Sequence, residues 1–111
     1  MLSIYKSNEQ GLEKLDMIAN GAWVNVVDPT PEEMEKLVTW GMDMDYINYA
    51  LDQDERARME RDEDYTFILL RIPMHQPESD VPFNTVPLGI MILGNKIITV
   101  CRYDSDIFRV L

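Results

Sequence analysis

Residues 52 to 64, "DQDERARMERDED", gather seven carboxylates and three arginines into thirteen positions. Carboxylate oxygens at this density are the hard ligands that Mg2+ and Ca2+ prefer. The order of the residues does not make a cage, however. The run lacks the central glycine and the glutamate at the twelfth ligand position that a calcium-binding EF-hand loop requires. Its arginines offset part of the charge. The plain reading is a solvated helix end, a short alternating strand and a turn at "DED". The rest of the catalytic inventory is thin. His75 is the only histidine, beside Pro73 and Pro77 in a stretch that reads as a solvent-facing loop. A zinc site needs more His or Cys than the chain holds. No Ser or Cys motif pairs with His75 to make a nucleophile and base. "GAWVN" lacks the glycine spacing of a phosphate loop. Cys101, the single cysteine, excludes an internal disulfide and lies in the apolar run "KIITVC", where it reads as a small core residue.

The acid run has to be positioned by the elements on either side. Upstream, "LSIYK" alternates like a strand, "LEKLD" is either a strand or a helical turn, and "AWVNVVD" is a valine-rich strand. "DPTPEE" then carries agreeing helix-start signals. Thr30 can cap, Pro31 suits the first helical position, and Glu33 closes a capping box. Met34, Leu37 and Val38 share a face, and Gly41 is placed to end the helix. A second helix starts near Asp43 or Asp45, with Tyr46, Ile47, Ala50 and Leu51 as its apolar stripe. Downstream, "YTFILLRIP" is a strand ending at Pro73, and "HQPESDVP" is a polar loop. "NTVPLGIMIL" is another strand, and Gly94–Asn95 turns it into "KIITVC". "DSDIFRVL" begins a helix at Ser105 or Asp106 and stops after about one turn, which reads as a shortened chain. The chain contains no internal repeat. Eight methionines read as core filler or a partner interface, with Met34, Met42, Met44 and Met59 near packing faces. Trp23 and Trp40 read as packing residues.

This order of strands, two helices and strands predicts one domain over residues 1–111 of α/β (α+β) class. It is a mixed, mostly antiparallel sheet with helices packed on it in αβα-type layering. Val24, Val26, Phe67, Leu69, Ile90, Ile98 and Val100 are its expected core. The formal net charge of −10 argues against a nucleic-acid partner and against docking on an anionic membrane surface. It suits divalent cations or a basic partner surface. No secretory segment opens the chain, and no apolar run approaches the ~20 residues of a membrane helix. Any membrane-embedded part of the protein would lie outside this chain.

Three stretches in order, "WVNVVDPTPEEMEKL", "YINYALDQDERARMERDEDYTFILLRIP" and "VPLGIMILGNKIITVC", resemble the N-terminal cytosolic domain of the CorA family of divalent-cation transporters. Each piece is weak alone, and the ordered set covers nearly the whole chain. The resemblance implies the cytosolic end of a funnel, followed in the family by a stalk helix and two membrane helices with a Gly-Met-Asn signature. Five subunits surround the pore, so it implies a homo-pentamer at the cell membrane. The stalk, the membrane helices and the signature are absent from this chain. "GMD" at 41–43 matches the signature only in letters and carries no pore role.

Many members carry Pro-x-x-x-Glu-Asp on the second helix, whose aspartate helps bind a regulatory ion against a neighbouring stalk. Aligned on "ALD", those positions are Met44, Asn48 and Tyr49 here, so tyrosine replaces the ligand. The family's Arg-Pro is Arg56 and Ala57. Asp45 and Asp52, four before and three after Tyr49, are the nearest substitutes as metal ligands.

The leading expectation is therefore a regulatory or assembly domain of a Mg2+/Co2+ transporter and not an enzyme. It holds no tight cofactor, and Mg2+ or another divalent cation is the transported or regulatory ion. A stand-alone acidic adaptor for a basic protein, and a small carboxylate enzyme, are the competing classes.

Overall fold

The structure, a computed structural model, describes residues 1–75 and 83–104. The expected loop after His75, the His75 side chain and the helix start at Ser105 or Asp106 lie outside the described residues. Among the described residues nine elements follow the sequence signals closely. They are β1 (Leu2–Asn8), β2 (Gly11–Leu15), β3 (Trp23–Val27), α1 (Pro31–Thr39), α2 (Met44–Leu51), β4 (Arg58–Arg61), β5 (Tyr65–His75), β6 (Phe83–Leu93) and β7 (Lys96–Cys101). "LEKLD" resolves as strand β2.

The strands form one seven-stranded sheet in the order β2-β1-β3-β7-β6-β5-β4. Among the described residues β3–β7 is the only parallel pair, and the others are antiparallel. The sheet is mixed because the chain leaves it after β3, forms both helices, and returns. Gly94 makes the two-residue hairpin between β6 and β7 at φ 59°, a sign of φ that costs glycine nothing.

The expected capping box is present. The Glu33 N–H donates to Thr30 Oγ1, and the Thr30 N–H donates to Glu33 Oε1. Glu33 also accepts from the Met1 ammonium at 3.1 Å. Desolvation pulls the Glu33 pKa upward. The Thr30 N–H and the Met1 charge outweigh it and hold the carboxyl below its ordinary value. At the other end Gly41 takes φ 108° just past the C-cap Trp40.

Both helices pack on one face of the sheet. Leu37 of α1 and Ile47 and Ala50 of α2 are fully buried with Val24, Val26, Phe67, Leu69, Met91, Ile98 and Val100. Leu37 rather than Val38 carries the α1 contact, since Val38 is 43% exposed. Helix α2 crosses β6 closely enough that a Cβ on Gly89 would stand 2.6 Å from the Ala50 Cβ.

Ile90 departs from the expected core. The register pairs Leu69 with Gly89 and Phe67 with Met91, which sends Met91 to the helices and Ile90 to the opposite face. There Ile90 packs beside a second buried cluster of Ile72, Val86, Leu88 and Cys101. Leu70, Ile97 and Met59 stand exposed. Among the described residues no helix covers this face. Of the four methionines placed near packing faces, Met42 is buried and Met34 packs against the core, while Met44 and Met59 are exposed. Trp40 packs against the core, and Trp23 stacks on Tyr5 at 5.2 Å between centroids.

β5 also runs through Pro73 to His75 rather than stopping there. β4 accompanies it only as far as Leu69. Beyond that point one side of β5 is unpaired, and a missing N–H costs no ladder bond.

Candidate functional site

The acid run contains the edge strand β4 and a turn at 62–64, as its composition suggested, but its first part, 52–57, is a loop beyond the C-cap of α2 rather than a helix end. In the turn the Asp62 N–H donates to the Tyr65 carbonyl at 2.9 Å. Asp45 lies in the first turn of α2, exposed, and its N–H donates to Oδ1 of the N-cap Asp43 at 2.9 Å. Asp52 is the C-cap, in extended conformation at φ −89° and ψ 113°. Its Oδ1 accepts from the Asp54 N–H at 3.0 Å. Helical periodicity therefore ends one residue before Asp52, and Asp45 and Tyr49 alone are related by a helical turn. Among the described residues no three His, Cys, Asp or Glu side chains converge as a metal cage.

Tyr49 is instead covered by a cation from the chain. The Arg58 guanidinium lies 4.7 Å from the Tyr49 ring centroid, an arrangement in which the ring face attracts the charge. Glu55 hydrogen-bonds Arg58 Nη1, and Glu60 lies 3.5 Å from Nε. The Glu55 hydrogen bond is the main cause of the upward shift in the Arg58 pKa. Deeper in, Tyr46 shares a 2.7 Å hydroxyl contact with Tyr65 and packs on Phe67. The Tyr65 hydroxyl is the first cause raising the Tyr46 pKa, burial the second, and the phenol stays neutral at physiological pH.

Two further arginines hold the end of α2. Arg71 donates from Nη1 to the carbonyls of Gln53 and Glu55, both at 2.9 Å, from Nη2 to the Thr85 carbonyl at 2.8 Å and from Nε to Thr85 Oγ1 at 3.0 Å. The Gln53 amide donates to that same Thr85 carbonyl at 2.8 Å. Arg102, just past β7, donates from Nε and Nη2 to the Leu51 carbonyl at 3.3 and 3.2 Å. α2 has no basic residue in its own last turn, so Arg102 meets the negative end of the helix dipole from outside the helix. Sequence reading missed these roles. The available signal was Arg71 itself, the one charge inside the apolar run of β5.

On the far face, burial raises the pKa of the Cys101 thiol, in keeping with a core residue. No helix among the described residues is long and apolar enough to cross a membrane.

These features define a class, an α+β domain with a seven-stranded mixed sheet. Solved structures show the same fold. The soluble domain of CorA from Methanocaldococcus jannaschii superposes with TM-score 0.80 at 27% identity, covering 99% of this chain and 44% of that one. The ZntB cytoplasmic domain from Vibrio parahaemolyticus superposes at 0.75 with 14% identity, covering 97% and 46%, a likeness of fold alone. The profile of the CorA-like Mg2+ transporter proteins matches residues 19–111, and the chain belongs to that family. The cobalt/magnesium transport protein CorA of M. jannaschii is 34% identical over 79 residues, 70% of this chain. The chain spans 24% of that relative's length.

Proposed function

We propose that this chain is the cytosolic regulatory and assembly domain of a CorA-type transporter of Mg2+ or Co2+. The observation that carries the reading is the superposition of 99% of this chain on part of the soluble domain of CorA, joined to the family match over residues 19–111. The domain works in a homo-pentamer whose remaining subunit contacts and membrane passage come from polypeptide beyond this chain. Its open sheet face, with Leu70, Ile97 and Met59 exposed, is an apolar surface suited to packing against such polypeptide.

Regulation in this reading uses carboxylates at a subunit boundary. Tyr49 supplies only a neutral phenol, a poor ligand for Mg2+, which wants several oxygens in near-octahedral order. Asp45 or Asp52 contributes one side of the site, and acids of an adjacent subunit contribute the other.

The test is Co2+ and Mg2+ uptake by liposomes holding the natural polypeptide that contains this domain, with Mg2+ varied on the domain's side. Uptake that slows as that Mg2+ rises, and slows less in Asp45→Asn or Asp52→Asn, is the expected result. Absence of divalent uptake overturns the reading. Calorimetry on the chain alone adds a check on the ligand set. Saturable binding at micromolar Mg2+ would show that no neighbouring subunit is required.

A further inference from the structure

We infer that the loop after α2, residues 52–57, is ordered by arginines of the chain itself rather than by a divalent cation, so that its shape does not respond to Mg2+. The inference deepens the proposed regulation, on which it rests, by stating what an arriving ion meets. An acid-rich loop needs positive charge nearby to settle in one conformation. A divalent ion would supply it by drawing several carboxylate oxygens onto one point. In this loop the groups drawn together are backbone carbonyls, and the cation that draws them is Arg71.

Arg71 is suited to this work. It projects from the sheet strand β5, and its planar fork makes four hydrogen bonds, two to the loop and two to Thr85 of β6. Gln53 closes the connection by reaching the same Thr85 carbonyl. Arg102 holds the carbonyl at which the loop begins. Arg58 binds Glu55 near the loop's other end and rests on Tyr49. Three guanidinium groups thus hold the loop from Leu51 to Arg56, Arg58 also donating from Nη1 to the Arg56 carbonyl at 3.3 Å. Asp52 is left exposed at the surface. An ion arriving there meets a preformed surface, and its effect must pass through charge at a subunit boundary rather than through folding of this segment.

The experiment uses the 111-residue chain with two readouts. One is trypsin cleavage after Arg56, and the other is hydrogen exchange at the amides of Asp52, Asp54 and Glu55, each of which is hydrogen-bonded. Both are followed in EDTA and in millimolar MgCl2. For the natural chain neither readout changes between the two conditions. Arg71→Gln accelerates both by about tenfold or more, as expected when a hydrogen bond from a charged donor is lost. Arg71→Lys, which keeps the charge but not the fork, falls between. Loop protection in the natural chain that appears only with Mg2+ overturns the inference, whatever the variants do. So does an Arg71→Gln chain that folds and keeps the loop fully protected. Uptake by the transporter is a separate measurement. A Mg2+-responsive loop with intact uptake removes this inference alone, and a silent loop without uptake removes the proposed function alone.

Discussion

The two helices lie side by side on one sheet and are secured in opposite ways. Every device that bounds α1 sits within a few residues of it, apart from the Met1 ammonium on Glu33. Thr30, Pro31 and Glu33 open it, and Gly41 follows its C-cap. α2 has a local N-cap in Asp43, but its C-terminal carbonyl and the loop beyond are held by Arg102 and Arg71, 51 and 16 to 18 residues away. A helix with local signals can be recognised before the fold exists. One finished by distant strands has its proper end only when the sheet is assembled. The acid run follows the second kind of helix, so its geometry is a property of the whole domain.

The middles of the helices set the scale for breaking this comparison. Leu37 and Ile47 are both fully buried, and truncating either to alanine costs about 2–5 kcal/mol. Urea denaturation giving similar losses for the two establishes that the helices differ at their ends and not in their packing. A smaller loss, about 1–3 kcal/mol, is expected for Gly89→Ala, because its new Cβ would stand 2.6 Å from the Ala50 Cβ of α2 and press on the Phe67 ring at 3.3 Å. Ala50→Gly in the same chain makes room, and the double variant is less destabilised than the two single losses added together.

The ends come next. Thr30→Ala removes an N-cap and costs about 0.5–2 kcal/mol, with little dependence on salt. Arg102→Gln removes a charge from a helix C-terminus and costs about 0.3–1 kcal/mol at low ionic strength. That loss shrinks in concentrated NaCl, since exposed charges are screened. Equal salt dependence of the two losses would erase the distinction between a local and a remote end.

The smallest effect is acid dependence at α1. The Glu33 carboxyl is held below its ordinary value of 4.5, so its contribution is complete above that pH. The contribution is lost as pH falls through the lowered value. Urea midpoints of the natural chain and Glu33→Gln, compared over a pH series, differ at neutral pH and converge in acid.

The same contrast explains what could be read in advance. The α1 boundaries, the Gly94–Asn95 hairpin and most of the core were legible because each rests on neighbours in sequence or on period-two alternation. Ile90 was misplaced because alternation gives two faces without saying which one meets the helices. That choice is made by Gly89, the residue small enough to pass beneath Ala50. Pro73 marks the end of a strand in sequence because its ring forbids a ladder bond, and only the short span of β4 shows that none is needed there. At the candidate site, Asp45 and Tyr49 could be related by helical spacing. The roles of Arg71 and Arg102 could not, because they depend on which strands the topology brings beside the end of α2.

The parallel pairing of β3 with β7 has a consequence for synthesis. Asn25 and Thr99, partners at the middle of the sheet, are 74 residues apart. As the chain leaves the ribosome, β1, β2 and β3 emerge as a three-stranded antiparallel unit with β1 in the middle, and the outer edge of β3 has no neighbour until β7 has been made. Closing so long a loop is slow. The nascent domain therefore spends most of its translation with the Val24 and Val26 strand open to mispairing, and a chaperone that shields that edge would act before β7 appears.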